Sequence, residues 1–354
     1  MRLRRRSLDA APVIVRAEVG RAEGVGNFQG YSSSWNRDAA MRVPTISRAR
    51  DLIASLIASA EIEQYARQFD GEETSDILLA QETWMNRPDP ATTRNFLLAW
   101  TFDDLYFHGR AFWGITARYS NGFPSAFTWL PASMVQTSDQ AGPVWFGPSD
   151  AITFNGMALP TRDVVQFISP IQGVLSMGAR AIAIAQRLDQ AAERFARNEI
   201  PSGWLQAATN GEPMSAEELS DLAIAWSEAR QANAVAALNG AVTWNESSMD
   251  PSRMQLVEGR EYQAKELARI ANVPPYLVGI AVGGMTYQNT ESARRDLWSF
   301  GARPYIDCIE QTLSGDNVIP RGRWVRLNLE RYLGRDPCAD MNIPAAQEDT
   351  SAAL

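Results

Sequence analysis

Gly259–Leu313 reads GREYQAKELARIANVPPYLVGIAVGGMTYQNTESARRDLWSFGARPYIDCIEQTL. Its first third has helical spacing, and the run Asn272-Val273-Pro274-Pro275 ends that helix, because a residue before proline disfavours the α region. Gly279 to Gln288 carries no charge, and Gly283-Gly284 frees the backbone there. Asn289 or Thr290 then caps a second helix that runs to Leu313. Pro304 lies inside it, removes one backbone hydrogen bond and predicts a bend. A helix, a neutral loop and a bent helix organise the rest of the chain.

The composition narrows the chemistry. The 354 residues are 45% hydrophobic and carry a net charge of −8, a balance unlike that of a protein that grips nucleic acid through its backbone. Charge is uneven. Residues 1–50 hold ten arginines against four acids, whereas residues 201–272 hold ten acids against five bases. Lys265 is the only lysine and sits in Gln-Ala-Lys-Glu, so a Walker-type phosphate loop is absent, and GIAVGGMT does not fit a dinucleotide fingerprint. His108 is the only histidine, which restricts a Ser-His-Asp triad to one position; its place at a helix end favours a structural role. Cys308 and Cys338 imply no disulfide framework, and no apolar run is long enough to cross a membrane. No cofactor or metal site is expected.

Along the chain, residues 1–35 lack periodicity and read as a flexible basic arm. Val43–Ile62 has helical spacing with Pro44 in its first turn, and a short strand follows around Glu61–Arg67. Residues 71–88 read as a second helix. Thr92 or Thr93 caps a third, NFLLAWTFDDLYFHG, closed by Gly109. Strands are predicted at AFWGITARY and AFTWLP around an Asn121-Gly122 turn, then at 135–137, 144–146, 152–154 and 164–167. Residues 174–198 read as one helix of roughly 37 Å. Residues 203–207 form a strand, and 215–233 a helix with Ser215 and Glu218 as a capping box. Residues 235–245 form a strand or a hairpin turning at Asn239-Gly240. The next helix opens at Asp250-Pro251, and WVRLNLERYL at 324–333 alternates as a strand. The fold class is α+β.

Several stretches, in order, carry a resemblance: RVPTISRARDLIASLIASAEI, RPDPATTRNFLLAWTFDDLYFHGRAFWGI, FTWLPASMV, NEIPSGWLQ, ELARIANVPPYLVG and MTYQNTESARRDLWSFGARPYIDCIEQTL. Together, across about residues 40–333, they resemble the portal proteins of long-tailed double-stranded DNA bacteriophages, the siphovirus type. The resemblance implies a wing (36–172, with a return strand in 316–335), a first stem helix (173–200), a clip (201–249), a second stem helix (250–273), a tunnel-loop region (274–289) and a kinked spine helix (290–315). Residues 336–354 read as a disordered tail, and the family's crown looks reduced or absent.

The same resemblance implies a homo-oligomeric ring, a dodecamer, at one capsid vertex of the virion, assembled in the host cytoplasm. DNA would be packaged and ejected through it. The tunnel loop Gly283, Gly284, Met285, Thr286, Tyr287 and Gln288 would touch the duplex without charge. Glu258, Glu261, Lys265, Glu266 and Arg269 would form the channel wall, with some pairs between subunits. Trp204, Trp226 and Trp244 would contact clip partners, the large terminase subunit and then the head–tail connector. The major capsid protein would surround the ring, with no membrane involved. Two other readings stand beside this: a soluble enzyme using unrecognised carboxylates, and a non-packaging ring adaptor of a defective prophage.

Overall fold

The computed structural model describes residues 37–69, 74–139, 147–197, 203–207, 215–231, 242–246, 256–280 and 290–329. Two helices open it, α1 (Arg37–Met41) and α2 (Pro44–Ala58). Pro44 occupies the first turn of α2, where its missing N–H costs nothing, and Ile46, Ala49, Ile53, Leu56 and Ile57 form its buried face.

Strand β1 (Glu61–Phe69) lies between β2 (Thr74–Leu78) and β11 (Arg323–Asn328) in an antiparallel sheet. The alternating segment near the C-terminal end thus returns to the first strand, with Tyr65 opposite and stacked on Trp324. The helix expected over 71–88 is not present. Thr74–Leu78 hydrogen-bonds along the edge of β1, and only one helical turn, α3 (Thr83–Asn86), precedes Arg87-Pro88. Pairing with an open strand edge outweighs local helix propensity, since Ile77 and Leu78 remain exposed and no apolar helix face would have been buried.

Helix α4 (Arg94–His108) is the centre of the core. The Thr93 hydroxyl accepts from the Phe96 N–H, and Gly109 closes the helix at φ 74°, donating to the Leu105 carbonyl at 2.9 Å. Leu97, Leu98 and every residue from Thr101 to Phe107 are buried. On one side lies α2; on the other lies a sheet of β3 (Arg110–Arg118), β4 (Pro124–Leu130) and β8 (Val164–Ile168), ordered β4-β3-β8. Trp113 packs on Phe127 and Phe167, and its indole N–H donates to Thr101 at 2.6 Å.

A small sheet of β5 (Val135–Thr137), β6 (Ile152–Phe154) and β7 (Met157–Leu159) follows. Its last hairpin turns on Asn155 and Gly156, both at positive φ. The expected strand at 144–146 lies outside the described residues.

Two carboxylates fix α4 in place. Asp103 is 1% exposed and takes Arg37 at 2.6 Å and Arg50 at 2.6 Å, the side chains of α1 and α2. Asp104 accepts from the Trp129 indole at 2.8 Å and the Ala132 backbone at 3.1 Å. His108 is half-buried at the end of α4, and burial, aided by the charge of Arg110, holds its pKa below the ordinary value.

The long helix expected over 174–198 is divided into α5 (Val174–Met177) and α6 (Ala179–Ala196). Gly178 marks the division. A Cβ there would lie 2.8 Å from the Val174 carbonyl oxygen and 3.0 Å from the Ile270 side chain, so glycine fits where a larger residue would force a shift. Residues 198–200 lie outside the described residues.

Next come β9 (Gly203–Ala207), α7 (Ala216–Gln231) and β10 (Val242–Glu246), with β9 and β10 antiparallel. Ser215 and Glu218 form the expected capping box, each bonding the other's backbone N–H. The Asn239-Gly240 turn lies outside the described residues. Helix α8 (Leu256–Ile270), a 3₁₀ turn (Pro275–Val278), α9 (Thr290–Asp296), a π-helical segment (Leu297–Ala302) and α10 (Arg303–Leu313) lead to β11. The expected start at Asp250-Pro251 lies outside the described residues.

Burial raises the Asp104 carboxyl to about 7, against the pull of its Trp129 and Ala132 donors. The folded chain therefore keeps a proton that the unfolded chain releases near pH 4. The stability linked to this group is present below about pH 4 and is lost as pH rises to about 7. Asp104→Asn keeps an acceptor and removes the charge. Denaturant unfolding at pH 5, 6, 7 and 8 should show a smaller fall in stability for the variant; parallel slopes would contradict the assignment.

Candidate functional site

Helices α6 and α8 pack antiparallel, as three contacts show. Gly178 approaches Ile270, the Gln263 side-chain amide donates to the Ala181 carbonyl at 2.9 Å, and Arg260 pairs with Asp189 at 2.9 Å. Gln263, Leu267 and Ala268 are buried. Across α8 from its α6 contact, Glu258 and Glu261 are exposed with Arg269, and Lys265 is half-buried. Arg269 pairs with Glu266 one turn earlier. Arg269, one of the two basic residues named for the channel wall, and Arg260 therefore each have a partner within their own chain.

Helix α8 ends in a Schellman motif. Asn272 takes a left-handed conformation at φ 54°, its N–H bonds the Arg269 carbonyl and the Val273 N–H reaches the Ala268 carbonyl at 3.0 Å. Asparagine tolerates this position because its short amide can bond locally. Here the amide reaches elsewhere and donates to the Phe300 carbonyl in the π segment.

That contact meets a distortion of the helix. Pro304 has no N–H, so the Phe300 carbonyl loses the partner it would have four residues on. The backbone answers with a π segment over Leu297–Ala302, where the Arg303 N–H bonds the Trp298 carbonyl. The distortion is therefore spread over six residues ahead of the proline, and the end of α8 caps the freed carbonyl. Nearby, the Tyr276 hydroxyl donates to Asp296 at 2.8 Å, joining the segments that lead into and out of the neutral loop. Gly283, Gly284, Met285, Thr286, Tyr287 and Gln288 themselves lie outside the described residues.

Asn272 and Asp296 were not singled out by the sequence reading. An asparagine at a helix end before Val-Pro-Pro was the available signal for the first; nothing local marked the second.

Trp226 is half-buried on α7. Trp204 on β9 stands opposite Asn245, and Trp244 on β10 opposite Leu205, so the two are one register position apart.

A sequence profile described as phage portal protein matches residues 44–347. The chain belongs to the phage portal protein family. A probable portal protein of Streptomyces phage phiC31 is 29% identical over 209 residues, 56% of this chain and 44% of that protein. The chain spans less than half the length of the curated relatives it matches. Among solved structures, an HK97-family phage portal protein from Corynebacterium diphtheriae has a TM-score of 0.69 at 24% identity, covering 85% of this chain and 98% of that one. The neck of a native gene transfer agent particle computed with C12 symmetry gives 0.57 at 19%, covering 84% and 86%. These two likenesses are likenesses of fold.

Asn272→Gly keeps the left-handed backbone and loses the amide, and should cost about 0.5–1.5 kcal/mol in chemical unfolding. Asn272→Ala adds roughly 1–2 kcal/mol of backbone strain. Equal losses in the two variants would refute the strain contribution.

Proposed function

We propose that this chain is one subunit of a portal ring that conducts double-stranded DNA through a capsid vertex during packaging and ejection. The observation that carries the reading is the family match over residues 44–347. The C12 neck, alike in fold, favours a closed ring of twelve. In this reading residues 36–172 with 316–335 form the wing, α6 and α8 the stem, 201–249 the clip, 274–289 the tunnel-loop region and 290–315 the spine. The clip docks the large terminase subunit and later the head–tail connector, and the major capsid protein surrounds the wing. The role is that of a conduit, without catalysis.

The charge pattern suits passage of DNA. The 18 residues of α6 give a stem of about 27 Å. Duplex DNA presents one charge per about 1.7 Å, so roughly 16 phosphates pass that length at once. Fixed basic contacts to even half of them would bind tightly and release slowly. Exposed Glu258 and Glu261 oppose such binding, and the uncharged Gly283–Gln288 sequence offers contact without ion pairs.

Electron microscopy of the purified protein should show rings with a central opening; compact monomers at every concentration would overturn the reading. Gly283→Val should assemble as the parent does but package or retain less DNA. If it fails to fold or assemble, the loop is structural and its role at the duplex is wrong.

A further inference from the structure

Three aromatic rings stand partly open at the start of α4. Phe96, Trp100 and Asp103 follow one another at steps of four and three residues, so they share one face of that helix. Trp129 of β4 completes the cluster, its ring centre 6.1 Å from that of Phe96 and 5.0 Å from that of Trp100. Phe96 is 39% exposed, and Trp100 and Trp129 are half-buried. Beyond Phe96 the face runs into a cleft of about 710 Å³, lined by Arg87, Ala91, Thr93, Arg94 and Asn95.

The other end of this face is where Arg37 stands. Its guanidinium lies 4.8 Å from the Trp100 ring centre and bonds Asp103 at 2.6 Å. Arg50 lies 5.4 Å from the same ring and shares Asp103. Asp38 pairs with Arg37, and Asp51 with Arg50. Three carboxylates against two guanidiniums leave this end without excess positive charge, so it offers a nucleic acid little. An open aromatic cluster with a neutralised rim suits an uncharged, aromatic partner.

Such a segment is tethered beside it. Gly24–Asn36, the thirteen residues ahead of Arg37, carry no charge and hold Phe28, Tyr31 and Trp35. A chain spans at most about 3.6 Å per residue, so Trp35 is held within about 7 Å of the Arg37 backbone. From Asp103 to Phe96 is roughly 10 Å along the helix, a distance that three or four extended residues cover. Tyr31, six residues from Arg37, therefore reaches past Phe96 to the cleft. We propose that this face of α4 is a docking groove for the chain's own Gly24–Asn36 segment, with Trp35 set against Trp100 and Phe96. Weak contacts suffice, because so short a link gives the segment a high effective concentration. Docking fixes the point at which residues 1–23, with six arginines against three acids, leave the core. The inference is independent of the ring reading.

Hydrogen–deuterium exchange of the full-length protein, read by mass spectrometry, tests this. Amides between Phe28 and Asn36 should exchange about tenfold or more slower than in a free peptide of the same sequence. Phe96→Ala and Trp35→Ser should each abolish that protection, while peptides within Leu97–Phe107 exchange as in the parent. Trp35→Ser alters no residue of the core, so it decides the matter even if Phe96→Ala disturbs α4. A segment that exchanges freely in the parent overturns the proposal, as does protection that survives either variant with the core intact. Protection that disappears on dilution would assign the segment to a neighbouring copy. A single-stranded thymidine oligonucleotide that slows exchange around Phe96–Trp100, with Gly24–Asn36 unprotected, would assign the face to nucleic acid. Either of those results overturns docking within the chain.

Discussion

Two consecutive buried acids dictate what surrounds helix α4. Asp103 and Asp104 are about 100° apart on the helix, so they face different layers of the core. An unpaired carboxylate in this core would cost several kcal/mol. Asp103 is satisfied by Arg37 and Arg50, which brings α1 and α2 onto one side. Asp104 is satisfied by Trp129 and the Ala132 backbone, which brings β4 and the turn after it onto the other. The apolar residues Leu97, Leu98, Phe102, Leu105 and Phe107 supply most of the burial, but they would accept many packings. The carboxylates select one. Tyr305 of α10 then stacks edge-on against Phe102 at 5.1 Å, which attaches α10 to the same core.

From that attachment the structure reaches the end of α8 through hydrogen bonds. Pro304 frees a carbonyl, the π segment absorbs the misfit, and the Asn272 amide at the end of α8 binds the carbonyl. Tyr276 and Asp296 add a second tie across the same gap. A displacement of α8 along its axis therefore loads the π segment directly, without passing through the neutral loop. In the proposed ring, this couples the channel wall to the core of the same subunit.

Local signals were legible and long-range ones were not. The caps at Thr93 and Gly109 and the Ser215–Glu218 box depend on residues within four positions of each other, and each formed as read. The strand at 74–78 was missed because its cause is the edge of β1, which a helix-periodicity argument cannot see. The β7 hairpin carried an Asn155-Gly156 signal of the same kind used at Asn121-Gly122, and it was overlooked. That a proline inside the helix would disturb its hydrogen bonding was readable from one residue. Its form, a six-residue π segment capped by a side chain 28 positions earlier, was not. For the residues proposed to line a channel the sequence supplied composition and family likeness, and the structure adds the antiparallel pairing of α6 with α8.

The π segment also has an effect on phase. A π turn holds about one residue more than an α turn, so everything before Leu297 is rotated roughly 100° relative to an unbroken continuation of α10. Residues spaced by three, four or seven across Leu297–Ala302 do not share a face. The side of α9 that carries Arg294 and Arg295 is thus set by a single inserted position, and removing one residue from this segment would turn both arginines to a different side of the helix.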